Sequence, residues 1–215
     1  MINLGPRGEA TGALTVLCLG AHSDDIELGC AGSPASGAVS RHGVSLGGVQ
    51  RHRGSGGPGA PRRHIVRWPH RFKEPLFKTF TDGFMPFARR RSERGFRRVE
   101  EGCLPGPYLY SQPQGRAPRP SLIGELTWNT FRDHLILEYE SPKYDGDLGQ
   151  PSVFVPLEAE VCQRKVYYLM EAFQSQRTKR WFEENTFLSL LRLRGMECNA
   201  PSGYAEAFYC HKLVL

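Results

Sequence analysis

A short apolar run, Leu14 to Leu19, breaks at Gly20-Ala21 and leads directly into His22-Ser23-Asp24-Asp25. No other stretch constrains the fold as tightly. A run of this length, rich in Leu and Val, reads as a buried strand. Gly20 and Ala21 are small enough for a tight turn, and Ile26 to Cys30 opens a helix. A strand, a tight loop and a helix make one unit of an α/β sheet. In such sheets ligands bind at the loops that leave the carboxyl ends of the strands.

The loop also carries chemistry. One imidazole, His22, and two carboxylates, Asp24 and Asp25, lie within four residues. Imidazole and carboxylate are both zinc ligands, and a catalytic zinc takes three protein ligands and keeps one position open. A neighbouring carboxylate that holds no metal can act as a base. Acidic residues in a first helical turn are favoured by the helix dipole alone, so the residue types by themselves also fit a purely structural role.

The stretch Ala21-His22-Ser23-Asp24-Asp25-Ile26-Glu27-Leu28-Gly29 after its strand resembles the signature of the LmbE-like/PIG-L family of zinc-dependent N-deacetylases, A-H-P-D-D-x-x-L-G, departing from it at Ser23. The resemblance covers residues 14–32 and about 122–215. It implies a single deacetylase domain over residues 13–215. The fold would be α/β, a Rossmann-like three-layer sandwich with a mostly parallel sheet and an irregular middle segment. It also implies Zn2+ held by His22, Asp25 and a third His, with Asp24 as general base, and a substrate that is an N-acetylated amino sugar or glycoconjugate. The third His belongs to a second motif, H-x-x-D-H, which this chain lacks.

Residues 33–121 differ in character from both flanks. They hold 17 of the 28 Lys and Arg residues but only 5 of the 22 Asp and Glu residues, a local balance of +12 against −6 elsewhere. Gly and Pro make up 24 of these 89 residues, near the level that marks low complexity. Pro34 and Gly37 interrupt the opening helix, and Gly43 to Pro69 shows no usable period. Phe80 to Phe87 reads as a strand end and turn. Arg89-Arg90-Arg91, Arg94, Arg97 and Arg98 form a basic run, and Leu104 to Pro120 is rich in proline.

Such a segment fits a non-enzymatic protein that binds nucleic acid or anionic surfaces, since Arg-rich runs neutralise phosphates. It also fits a solvated charge run with no partner. The reading preferred here is a shifted frame. When codons are rebuilt from the last two bases of each codon and the first of the next, the stretch around Val44 to Ser55 can read as a strand. Ala88 to Ser121 can then read as an amphipathic helix, a strand P-D-L-I-F-T-H, and the run H-Q-D-H. Free third bases make any one recovered residue weak support. A single shift that restores helix period, strand, charge balance and the missing motif together is strong support. In the chain as given, Ala117-Pro118-Arg119-Pro120 stands where the histidines would be.

Ordinary patterning resumes at Leu122. Ile123, Leu126, Thr127 and Thr130 share one helical face, and Leu135 to Tyr139 reads as a strand. Asp133-His134 between them fits a polar turn better than a replacement metal site. Val153 to Pro156 is a short strand. Glu158 to Phe173 is a helix with Val161, Cys162, Lys165, Val166, Leu169, Ala172 and Phe173 on one face, and Lys165 is expected to keep its charge in water. Phe182 to Leu193 is a second amphipathic helix. Tyr204 and Glu206, near the end, fit either substrate contact or a Gly turn into a strand.

The six cysteines form no C-x-x-C pair, which argues against a Cys zinc site or disulfide scaffold and suits a reducing cytoplasm. The first dozen residues read as a frayed lead-in without a leader pattern. No apolar run approaches the roughly 18 residues of a membrane span. The preferred reading has a small-molecule partner and no nucleic acid. Without the third ligand, the chain as written is expected to show little or no activity.

Overall fold

The computed structural model describes residues 16–20, 24–35, 46–51, 76–81, 108–111, 122–142 and 148–213. Its strands are β1 (Leu17–Leu19), β2 (Leu46–Arg51), β3 (Leu76–Thr81), β4 (Tyr108–Ser111), β5 (Ile136–Tyr139), β6 (Val153–Pro156) and β7 (Ala205–Cys210). Its helices are α1 (Asp25–Gly29), α2 (Gly32–Ala35), α3 (Leu122–Thr130), α4 (Ala159–Ala172) and α5 (Glu184–Glu197), with a 3-10 turn at Gln174–Gln176.

The strands form one sheet in the order β3-β2-β1-β4-β5-β7-β6. β1 runs parallel to both β2 and β4, β2 pairs parallel with β3, and β4 pairs parallel with β5. β7 enters antiparallel between β5 and β6. The chain therefore leaves β1 on one side to build β2 and β3, and on the other to build β4 and β5. In open α/β sheets, ligands bind outside the carboxyl ends of the two strands at which strand order reverses in this way. Here those strands are β1 and β4, paired through Leu19 and Tyr110.

Three strands come from the middle segment. Among the described residues of 33–121, a segment expected to be irregular, are β2, β3 and β4. Leu46-Gly47-Gly48-Val49-Gln50-Arg51 has no strand alternation, and its register with β3 shifts between Gly47 and Val49. Tertiary demand explains its place. Val16, Leu17, Cys18 and Leu19 are each 2 % exposed or less, and a strand buried that deeply needs hydrogen-bond partners on both edges. The opening helix ends at Gly29, and Pro34 falls inside the separate one-turn α2, where its missing N–H is an orphan in any case.

The core lies on both sides of α1. Ile26 joins Val16, Cys18, Cys30, Tyr139 and Phe208 against the sheet. Leu28 joins Val166, Leu169, Phe173, Trp181, Phe182 and Phe187 below α4 and α5. Of the expected face of α3, Ile123, Leu126 and Thr127 are buried and Thr130 half-buried, with Phe131 buried just beyond the helix; of that of α4, Val161, Cys162, Val166 and Leu169 are buried. The last helix starts at Glu184 rather than Phe182. Phe182 precedes it, buried edge-on between Trp181 and Phe187 at ring separations of 5.4 and 5.2 Å.

Gly29, the last residue of α1, is required by packing. A Cβ there would overlap the Tyr139 ring and lie 2.7 Å from the Glu140 carbonyl oxygen. The backbone atom cannot step aside, so Gly29→Ala is expected to destabilise the chain by about 1–3 kcal/mol or more, read as a lowered midpoint in urea.

Candidate active site

The site grows from the carboxyl end of β1. Asp24 caps α1, and its carbonyl accepts the Leu28 amide at 2.9 Å. Asp24 is 5 % exposed and Asp25 3 %. The sequence thus places two adjacent carboxylates under cover at the reversal point of the sheet, although buried carboxylates need compensation. Their neighbour Glu27 shows the effect: loss of water around its carboxyl, with the Asp24 and Asp25 charges adding, raises its pKa to about 8, and Lys165 works against the rise. His22 and Ser23 lie outside the described residues, as do Ala117 to Pro120 and the Arg89 to Arg98 run. Asp133 and His134 occupy the turn between α3 and β5, where the His134 amide reaches the Phe131 carbonyl at 3.3 Å.

A carboxyl whose folded pKa lies above its ordinary value holds the fold best when protonated. Its contribution is complete below about pH 4.5 and is lost as pH rises to about 8. Glu27→Gln should flatten that slope. Discounted for the partial exposure of the residue, the gain near pH 8 is roughly 1–3 kcal/mol, measurable by urea unfolding in chelating buffer from pH 5 to 9.

Lys165 corrects an expectation. It is 2 % exposed, and its ammonium is not in water but 2.6 Å from Glu206 Oε1. Glu206, also 2 % exposed, lies on β7. Its Oε1 accepts the Gly32 amide at 2.8 Å, and its Oε2 accepts the Ser33 amide at 2.6 Å and the Ser33 hydroxyl at 2.5 Å. Four donors on one carboxylate satisfy it fully. The described contacts of Glu206 are therefore to Lys165 and to the Gly32–Ser33 segment, and Tyr204 packs beside the Leu157, Val161, Cys162 and Leu191 cluster. Gly203, at φ +79, makes the turn into β7.

A second buried pair joins α5 to the residue that follows β5. Arg194, 2 % exposed, donates Nε and Nη2 to the two oxygens of Glu140 at 2.8 and 2.5 Å. Its Nη1 reaches both Glu197 oxygens, and the Tyr209 hydroxyl donates to Glu140 at 2.9 Å. Burial opposes the Arg194 charge, but the bonds to Glu140 and Glu197 outweigh it and hold the guanidinium protonated. The Tyr209 hydroxyl is pushed up by burial and by Glu140. A signal for both pairs was present. Lys165 sits on the apolar face of α4, and Arg194 follows Phe187 and Leu191 on that of α5, where a charge implies a buried partner. Leu28, Gly29, Glu140, Lys165, Arg194 and Glu206 all line one cavity of about 20 Å³ behind α1, room for a single water.

Among the described residues, no group of three or more His, Cys, Asp or Glu side chains is placed to hold a metal ion. Among them too, no helix is long and apolar enough to cross a membrane.

No protein-family profile matches the sequence, and no curated protein does. Solved structures do match. A conserved protein of Thermus thermophilus superposes with a TM-score of 0.67 at 19 % identity, over 94 % of this chain and 96 % of the other. N,N'-diacetylchitobiose deacetylase from Pyrococcus horikoshii gives 0.60 at 12 % identity, over 93 % and 84 %. A deacetylase of the teicoplanin biosynthetic pathway gives 0.64 at 16 % identity, over 91 % and 97 %; a zinc-inhibited form of teicoplanin deacetylase gives 0.60 at 14 %, over 91 % and 97 %. The chain has the α/β fold of these deacetylases.

Proposed function

We propose that this chain is a zinc-dependent N-deacetylase of the LmbE-like/PIG-L type, one Rossmann-like domain over residues 13–215, and that as written it is short of one metal ligand. The observation that carries this reading is the burial of Asp24 and Asp25 at the β1 end of the sheet's reversal point. Support comes from the fold shared with deacetylases of chitobiose and of a teicoplanin pathway.

The donor set fits zinc in kind, an imidazole and a carboxylate, and Asp24 and Asp25 are buried beside Glu27, whose pKa is raised chiefly by burial and further by their charges. His22 and Asp25 would hold the ion, which when bound supplies a water acidic enough to ionise near pH 7. Asp24 takes a proton from the attacking water and hands it to the departing nitrogen, so that the amide yields acetate and a free amine. An N-acetylglucosamine-type sugar is the substrate class, and a reducing cytoplasm the compartment.

The set is incomplete in number, because Ala117-Pro118-Arg119-Pro120 replaces the second motif. The purified chain should bind zinc weakly and turn over little or nothing. Competition with a fluorescent chelator tests this: Asp25→Asn should abolish the residual binding, and Asp24→Asn should leave it. Stoichiometric zinc with deacetylase turnover in this chain would contradict the missing-ligand reading. Zinc binding indifferent to Asp25→Asn would contradict the metal reading altogether.

A further inference from the structure

We infer that Glu206 is the positioning residue for the metal-carrying segment 24–31, acting through both carboxylate oxygens on the Gly32 and Ser33 amides, with Lys165 as its neutralising partner. This rests on the metal reading of Asp25. The helix that presents Asp25 is five residues long. One turn of helix has no stability of its own, since nucleation is unfavourable until several further residues are added. No side-chain bond caps its start at Asp24. Its orientation is set by the packing of Ile26 and Leu28 into the core on its two sides and by what pins its two ends. On one side is β1, paired on both edges. On the other, Cys30 and Ala31 are buried and run straight into Gly32 and Ser33.

Those two amides are held by a strand that arrives 173 or 174 residues later in the chain. Each Glu206 oxygen takes one backbone amide, at 2.8 and 2.6 Å, so the tether fixes rotation as well as distance. Gly32 keeps the approach open: a Cβ there would lie 2.9 Å from Glu206 Oε1 and 2.5 Å from a Leu157 methyl. Lys165, reaching from α4, allows an ionised carboxylate to sit this deep. A glutamine at 206 has one acceptor oxygen and would have to release one of the two amides.

The test separates positioning from stability. In Lys165→Met the tether remains but a buried carboxylate loses its counter-charge, so Tm should fall while zinc affinity stays near that of the parent. Adding Glu206→Gln removes the uncompensated charge and half the tether. Tm should then recover, while zinc affinity drops roughly 10–100-fold, the usual effect of losing an outer-shell support, and the cobalt(II) visible spectrum should change. The two readouts move in opposite directions, which a merely structural role does not produce. If Lys165→Met alone fails to fold, the charge-neutral double variant is compared directly with the parent. Zinc affinity that follows Tm across the series, or a double variant that binds as the parent does, overturns the inference. Asp25→Asn, run alongside, separates the cases: loss of zinc there with no effect at Glu206 sinks this inference alone, whereas no loss there sinks the metal reading and this inference with it.

Discussion

A chain in which residues 33–121 are replaced by their shifted-frame reading is expected to bind one zinc ion and to release acetate from an N-acetylglucosamine-type substrate. The parent should do little of either. The physical reason is ligand number. Two protein ligands hold zinc less firmly than three, and the third restores the site on which a zinc hydrolase depends. The strand order favours this placement. β4 is the neighbour of β1 across the reversal point, so segments that follow the two strands leave the same end of the sheet. In the shifted frame the strand P-D-L-I-F-T-H falls on 105–111, overlapping β4 at Tyr108–Ser111, and H-Q-D-H follows at 117–120. The measurement is zinc per chain and acetate release in the two proteins. Asp24→Asn in the restored chain should keep zinc and lose about 10²–10⁴ in turnover, the range of a general base. Equal zinc content and equal inactivity in both proteins would refute the assignment. Sequencing the gene across codons 30 to 125 tests the frame itself, which compensating one-base insertions and deletions would confirm.

Arg194→Leu is expected to lower stability by about 3–5 kcal/mol, because it strands the Glu140 carboxylate without its cation. At roughly 2–4 °C per kcal/mol for a chain of this size, the fall in Tm is on the order of 10 °C. The pair is bidentate and buried, so screening by salt should change the loss little. Arg194→Lys should also be costly, since an ammonium cannot span both oxygens. Combining Arg194→Leu with Glu140→Gln should return part of the loss. An Arg194→Leu chain that unfolds at the parent's Tm would show that this pair contributes nothing net.

The helices at the back of the chain were legible because their apolar stripes recur at helical spacing: Ile123, Leu126 and Thr127 in α3, Val161, Cys162, Val166 and Leu169 in α4. β1 and the Asp24-Asp25 turn were legible because a short apolar run ending in small residues has few other uses. β2 was not. Leu46 to Arg51 has no alternation to read, and its place depends on the hydrogen-bonding edge of a strand about 30 residues earlier. Lys165 was legible as an anomaly and misread in consequence: a lysine on an apolar face either reaches water or finds a carboxylate. Which one it does depends on where β7 brings Glu206, and residues 165 and 206 carry no sign of each other in one dimension.

The sequence alone therefore determined the local units: strand, acidic loop and helix start at the front, and amphipathic helices behind. These follow from short-range periodicity and residue chemistry. The tertiary structure decided which charges are buried, which strands flank β1, and what pins the far end of α1. Those outcomes depend on desolvation and on pairing between residues far apart in the chain, as Glu206 with Gly32 and Ser33, and Arg194 with Glu140, show.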